Sequence, residues 1–278
     1  PSFPAHQYII SGTSTTNSSG NYKAAENPYS PRGDNGGGCN APSNVLVDTI
    51  DANGDIGNPV YPCFNRQTLG DLLDGAGVSW SYYQDKYGPG LWHAYDTIYH
   101  IYYGQDYANV RVPSSQVLND IKHGNLAQVT WVTPAGANSD HAGNRRNGGP
   151  AWVASIVNAV GSSKYWNNCA IFVVWDDWGG WYDHVAPVIY NSFELGFRVP
   201  LIVVSPYAKP AYVSHTQYEF GSLLKFAEET FGTGSLGTTD ARANSVSDMF
   251  NFDQQPRKFV RIHAPQPDLK DNSPADSE

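Results

Sequence analysis

Basic residues are scarce: 17 Lys and Arg stand against 26 Asp and Glu, for a formal net charge of −9. No cluster of cations is present to grip a phosphate backbone, which excludes a nucleic-acid-binding function. Long apolar runs are missing too. The longest, Ala170 to Trp175 and Leu201 to Val204, fall far short of the ~18 residues that a membrane-crossing helix needs, so no transmembrane segment is expected. Cysteine is limited to Cys39, Cys63 and Cys169, with no CxxC or CxxxC pair. That excludes a zinc knuckle and a disulfide-framework miniprotein. P-loop, GxSxG and HExxH motifs are all absent.

What is present is enough to fold. With 40% hydrophobic and 13% aromatic residues in 278, the chain can bury enough apolar surface to offset chain entropy. Residues 11–62 read as a loop-rich excursion over the surface: Ser11 to Asn21 is nearly all Gly, Ser, Thr and Asn, and Gly33 to Asn40 holds four glycines. One strand is expected inside it, Asn44 to Ile50, closed by the turn Asp51-Ala52-Asn53-Gly54.

Downstream, Leu69, Leu72, Leu73 and Ala76 share a helical face over Gln67 to Ala76, with Gly77 as a left-handed stop. Strands are expected at Val78 to Tyr83, Val129 to Thr133, Ala170 to Trp175 and Pro200 to Ser205. Helices are expected at Leu91 to Tyr103, around Val153, Ile156, Val157 and Val160 behind Pro150, and at Thr216 to Phe231 with a Thr216/Glu219 capping box. This alternation predicts an α/β layered fold with a mainly parallel sheet. The run Ala170 to Trp175 is apolar on both faces, as for a strand covered by helices on each side. The expectation is one domain over 1–265 and a loose Pro/Asp-rich tail over 266–278.

Cys39 and Cys63 bracket a Gly/Asn/Pro-rich loop and are a candidate disulfide, which would suit an oxidising compartment; two unbridged thiols are the alternative. Cys169, beside an apolar run, reads as a buried free thiol. The chain begins at Pro1, compatible with a removed signal peptide or with missing upstream protein.

The chemistry concentrates in Ile171 to Pro187, IFVVWDDWGGWYDHVAP. An apolar strand ends in Asp176 and Asp177, then Gly179-Gly180, then Asp183-His184, and ligands of open α/β sheets bind beyond the carboxyl ends of strands. Three carboxylates and an imidazole so close repel one another unless a cation or an arginine compensates; a divalent metal ion is the simplest candidate. Solvated loop acids are the alternative. Adjacent strand residues point to opposite faces, so both aspartates can face one ion only where the strand breaks, and the glycine pair allows that bend.

Ser139-Asp140-His141 follows another strand and is expected on the same rim, with His141 as general acid, oxyanion donor or metal ligand. Arg145 and Arg146 are candidate phosphate contacts or solvated surface residues. His100, on the helix after Leu91, is as readily structural as catalytic. His215, at the start of the Thr216 helix, is a candidate anion contact or a capping-turn residue. Trp178 and Trp181 border the site as stacking platforms or ordinary packing. His6, His93, His123 and His263 carry no contextual signal. A glycoside hydrolase using Asp177 and Asp183, or a non-catalytic aromatic-rich binding module, is the competing reading.

Beyond these residue-level readings, the sequence resembles the bacterial phosphoesterase family of phosphatidylcholine-type phospholipases C and acid phosphatases, within the alkaline-phosphatase-like superfamily. The resemblance is carried by Pro1-Ser2-Phe3-Pro4, Ser139-Asp140-His141, Trp175 to Val185, the VPLIVVSPYA stretch from Val199, Ser214-His215 and Thr239-Asp240-Ala241-Arg242. It implies a three-layer α/β/α fold and a metal-dependent hydrolase of phosphate mono- or diesters, acting on phosphate-ester or phospholipid substrates. In that family pattern Ser2 is the nucleophile that forms a phosphoserine, Asp176 and Asp177 hold one divalent metal ion, and His141 serves the phosphoryl oxygens or the leaving group. Asp183, His184, His215 and Trp178 fall to the substrate side, and a secreted or periplasmic location is implied. The family's further Glu-Asn metal-binding pair lies on a first strand before the nucleophile. Glu26-Asn27 follows Ser2 and precedes Pro-Tyr-Ser, so the role is not carried over, and the chain is expected to lack that strand and part of the metal site.

Overall fold

The computed structural model describes residues 1–31, 33, 36–143 and 148–269. Its elements are α1 (Ser2–Ser11), β1 (Lys23–Ala24), β2 (Thr49–Ile50), α2 (Leu69–Gly75), β3 (Trp80–Tyr83), α3 (Tyr99–Tyr102), β4 (Val110–Arg111), α4 (Gln116–His123), β5 (Val129–Val132), α5 (Gly148–Gly161), β6 (Ile171–Val174), β7 (Leu201–Val204), α6 (Phe220–Phe231) and α7 (Thr239–Arg242). The fold is mixed α/β. β4, β3 and β5 form a parallel sheet in that order, with Trp80 opposite Val129 and Tyr83 opposite Val132.

Side-chain alternation along β3 sorts two cores onto the two faces of this sheet. Trp80 and Tyr82 join Ile10 of α1, Leu69 and Leu73 of α2, Tyr95, Ile98 and Leu224 of α6. Tyr83 faces the other way, onto Val117 and Ile121 of α4 and Trp152 and Val160 of α5. A third cluster, Phe3, Ala24, Val47 and Phe64, lies under the 11–62 segment. That segment is therefore not only a surface excursion, since it packs over the start of α1.

The sheet departs from the mainly parallel expectation. β6 and β7 run antiparallel, Ile171 opposite Val204 and Val174 opposite Leu201. Parallel neighbours need a long crossover, usually a helix, and the turn- and aromatic-rich segment 175–200 contains none. Nor is β6 covered as its apolarity suggested: all four of its residues are partly exposed, because one edge borders an open cavity.

Three local boundaries also shift. The 44–50 strand is reduced to Thr49–Ile50, with single bridges from Leu46 to Tyr29 and Val47 to Val60. The expected helix over 91–103 splits into a 3-10 turn at Ala94–Thr97 and the short α3. Ile98 between them is extended and bridges to Phe64, whose N–H and C=O bond Thr97 and Tyr99. α6 starts at Phe220, so its capping box is Glu219 with Ser222 rather than Thr216 with Glu219. Arg242 fixes Glu219 there through two hydrogen bonds, 3.0 and 2.7 Å, while Thr216 Oγ1 reaches Asp248 at 3.4 Å. The α2 expectation holds, with Thr68 as N-cap in a capping box with Asp71 and Gly77 at φ 67°. The tail expected from 266 is anchored at its start, where Asn138 Nδ2 donates to the Asp268 carbonyl at 2.7 Å.

Cys39 and Cys63 are bridged. Cys169 keeps a free thiol, its pKa pushed up to about 11 by burial. No helix of the described residues is long and apolar enough to cross a membrane.

Two predictions concern stability. Replacing both Cys39 and Cys63 with Ser is expected to lower unfolding free energy by about 2–4 kcal/mol in denaturant titration, through the freed loop entropy of the unfolded chain. Glu228 is the second case. Burial, the largest influence, together with the charge of Asp240, raises its carboxyl from the ordinary 4.5 to about 7, against the Leu236 N–H and Lys225. A raised folded pKa means stability fully present below pH 4.5 and lost as pH rises through 7. Glu228→Gln is therefore expected to be more stable than the parent chain at pH 8, by about 1–2 kcal/mol, and no more stable at pH 4; equal stability at pH 8 would contradict this.

Candidate active site

Ser2 opens α1, and His6 lies one turn on, so the two share a helical face. Ser2 is 1% exposed and His6 9%. No side chain caps this helix start in the usual N-cap position; instead the Phe3 N–H donates to Asn27 Oδ1 at 3.0 Å. Ser2 Oγ donates to Asp177 Oδ2 at 3.0 Å. Asp177 Oδ1 accepts the Gly179 N–H at 2.8 Å. Gly179 and Gly180 adopt φ of 61° and 76°, left-handed values that glycine reaches without a Cβ penalty. The β6 ladder has ended at Val174, so the glycine turn brings both aspartates to one cavity despite strand alternation.

Asp176 Oδ2 stands 3.4 Å from His6 Nε2. This approach is not an aligned hydrogen bond, and the oxygen is buried with no hydrogen-bond partner among the described residues. Burial acts to raise the Asp176 pKa, but the His6 contact and the Ser2 hydroxyl outweigh it and hold the carboxyl well below the usual carboxylate range. His6 Nδ1 lies 3.4 Å from the Tyr82 hydroxyl, and its ring stacks on Trp92 at 6.4 Å. His6 carried no signal when read alone. The one sequence signal that could have found it is its i, i+4 spacing from Ser2, which shares a face only once the segment is helical.

The 139–141 loop reaches the same rim. Trp175 Nε1 donates to Asp140 Oδ2 at 3.2 Å, joining this loop directly to the residue before Asp176. His141 lies 6.3 Å from Trp92, ring to ring, with Nδ1 donating to the Ala142 carbonyl at 2.8 Å. Ser2, His6, His141, Asp176 and Asp177 therefore converge.

Other candidates stand apart. His100 is braced between Asp71 (2.7 Å) and Asn65 (3.1 Å), linking α3 to the cap of α2 and contacting none of the converging residues. His215 is exposed and lies five positions before α6 begins, so it is not at a helix N-terminus. Asp183 is clasped by Arg198 through two hydrogen bonds, 2.7 and 2.8 Å. The arginine, helped by the Val185 N–H, holds its carboxyl well below the usual range. The His184 ring is 85% exposed and 3.9 Å from Asp183. Trp178 packs on Phe197 at 4.6 Å. Arg145 and Arg146 lie outside the described residues.

The acids of the loop are thus accommodated piecemeal, Asp183 by Arg198, Asp177 by hydroxyl and amide donors, and Asp176 beside the His6 ring. Among the described residues no group of three or more His, Cys, Asp or Glu side chains is arranged to hold a metal ion. The unpartnered Asp176 Oδ2 beside Asp177 nevertheless suits a hard cation as part of an oxygen ligand set.

A model of the Phosphoesterase family matches residues 1–234. Among curated relatives, phospholipase C B of Mycobacterium tuberculosis is 28% identical over 258 residues, covering 74% of this chain and 49% of that protein. Non-hemolytic phospholipase C of Burkholderia pseudomallei is 28% identical over 227 residues, covering 60% and 32%. Non-specific phospholipase C5 of Arabidopsis thaliana is 26% identical over 235 residues, covering 70% and 43%, so the likeness extends beyond bacteria. The chain spans at most about half the length of these relatives. With the family model covering most of its length and both strand-end motifs at one rim, the chain belongs to the Phosphoesterase family.

Proposed function

We propose that this chain carries the catalytic site of a hydrolase of phosphate mono- or diesters, phospholipids included, working through a phosphoserine on Ser2. The observation that carries the reading is the Ser2 hydroxyl, buried at the start of α1 and hydrogen-bonded to Asp177 at 3.0 Å. The relatives' names, all phospholipases C, favour a phospholipid ester.

In this reading Asp177 orients the hydroxyl and draws on its proton while Oγ attacks phosphorus, and the bond to the leaving alcohol breaks. The positive end of the α1 dipole favours the phosphoryl oxygens. His141 faces the same space and donates a proton to the leaving oxygen. Water then attacks the phosphoserine, releasing phosphate or phosphomonoester and restoring the hydroxyl. His6 acts through Asp176 as a positioning residue. A divalent cation belongs to the reading: Asp176 and Asp177 would hold it, and when bound it would supply neutralisation of charge on the phosphoryl oxygens. The three-layer arrangement is part of the same proposal, supported by helices on both faces of the β4-β3-β5 sheet. The Cys39–Cys63 bridge supports a secreted or periplasmic setting.

The glycosidase reading loses support because Asp183, one of its two carboxylates, is committed to Arg198.

With p-nitrophenyl phosphate and p-nitrophenylphosphorylcholine as substrates, Ser2→Ala is expected to lose at least about a thousandfold in kcat. Acid quenching of the parent chain should trap a phosphoserine at Ser2. His141→Ala is expected to lose about 10²- to 10⁴-fold, and chelation should lower activity until a divalent cation is returned. Full activity in Ser2→Ala would overturn the proposal.

A further inference from the structure

Behind the rim lies a second polar cluster that the reaction does not use. His93, Asp85 and Asp96 are all buried. His93 Nε2 is hydrogen-bonded to Asp85 Oδ1, and Nδ1 donates to the Gly88 carbonyl at 2.6 Å, with Asp96 Oδ2 3.5 Å away. Burial works against a charge on the ring, but the hydrogen bonds and charges of Asp85 and Asp96 outweigh it and raise the imidazole from 6.5 to about 9. Asp96 has further donors, Gln84 Nε2 at 2.8 Å and the Gly88 N–H at 3.1 Å. Asp85 has none: its Oδ2 is unpartnered, so among the described residues His93 is the one hydrogen-bond partner of its carboxyl. The other titratable side chains facing the cluster are Tyr107, from the turn Gln105–Asn109, and Tyr82 of β3; burial first, and the Asp96 charge after it, raise both phenols, which stay neutral.

The backbone is shaped around this ring. Gly88 takes φ 93°, a left-handed value open to glycine, and so offers its carbonyl to His93 and its N–H to Asp96. A Cβ on Gly90 would lie 2.5 Å from His93 Nδ1. Between Gly90 and His93 comes Trp92. Its carbonyl accepts from the Tyr82 hydroxyl at 2.6 Å, whereas its indole Nε1 is buried with no hydrogen-bond partner among the described residues. Packing and the backbone on either side therefore hold the indole, and that backbone is fastened at residue 93. The His6 and His141 rings lie 6.4 and 6.3 Å from it.

On the reading that His141 is the leaving-group acid, we infer that His93 is a positioning residue: clamped between Asp85 and Asp96, it fixes the backbone that carries Trp92, and the Trp92 ring sets the His6 and His141 imidazoles. A neutral imidazole has a single N–H, so on losing its proton His93 must give up either Asp85 or the Gly88 carbonyl. Giving up Asp85 leaves a buried carboxylate with no donor, the costly outcome of breaking a buried pair. Because the folded pKa is raised, the clamp is complete below the ordinary 6.5 and lost as pH rises through about 9. A catalytic imidazole displaced by about 1 Å gives up much of its advantage. That loss concentrates on esters whose leaving oxygen must be protonated.

The test compares His93→Phe and Asp85→Asn with the parent chain. His93→Phe keeps a ring and removes both N–H donors; Asp85→Asn keeps the imidazole, removes its charged partner and serves where the first variant does not fold. Two substrates deliver the same phosphorylcholine group, a soluble short-chain phosphatidylcholine with an alkoxide leaving group and p-nitrophenylphosphorylcholine, whose leaving group needs no proton. In each variant kcat is expected to fall at least about tenfold more on the first than on the second. The alkaline fall of kcat, near pH 9 in the parent chain, is expected to move down by at least about one pH unit in Asp85→Asn. Independently of turnover, the imidazole proton resonances of His6 and His141 are expected to shift in His93→Phe, or in Asp85→Asn above the lowered His93 pKa, in the direction that Trp92→Leu shifts them. Unmoved resonances, or equal losses on the two substrates, would overturn the inference. Full activity in Ser2→Ala would remove the phosphoserine reading, while the resonances still decide whether His93 places the two imidazoles.

Discussion

The hydrogen bond from Ser2 to Asp177 ties the beginning of the chain to a loop 175 positions away, and the site depends on it in two ways. It fixes α1 against the carboxyl end of β6, which brings His6 to Asp176. It also satisfies one oxygen of a half-buried carboxylate that would otherwise face its neighbour Asp176 in a confined space. Buried charges persist only when paired or hydrogen-bonded, and here the pairing is divided among a hydroxyl, an imidazole, a glycine amide and, farther along the loop, the guanidinium of Arg198. Two of these donors come from α1 and one from Arg198 beyond the loop, so the acidic loop can take its shape only in the folded protein.

The same rim shows how aromatic packing supports polar geometry. Trp92 is flanked by His6 and His141, so one ring sets the position of both imidazoles. Tyr82, buried in the sheet core, donates to the Trp92 carbonyl at 2.6 Å and accepts from Thr133 at 3.0 Å. The parallel sheet thereby supports the site through one hydroxyl. The disulfide works at longer range, fastening the 11–62 segment near Phe64, which packs on Phe3 beside Ser2. Residues remote in sequence thus share responsibility for the orientation of a single hydroxyl.

Open strand edges explain where the sequence expectation and the fold part company. The apolar run at Ile171–Val174 reads as a doubly covered parallel strand because its composition suits one. In the fold its neighbour is antiparallel β7 and its other side is the cavity. Composition reports the environment a strand is suited to, whereas pairing depends on which segments are there to lie beside it.

Local patterns written in the chain determined the helix at 69–75 with its glycine stop, the strands at 80–83 and 129–132, the strand-end aspartates, the glycine turn behind them and the rim shared with the 139–141 loop. These signals are short-range, resting on periodicity, capping and left-handed backbone, and so they survive reading one segment at a time. Tertiary structure alone decided that His6 faces Asp176, that Arg198 claims Asp183, that His100 braces α2 and that β7 returns antiparallel. Each of those outcomes sets two distant groups within a few ångströms of each other, and the energy of such a contact depends on burial and geometry that no single stretch of sequence encodes.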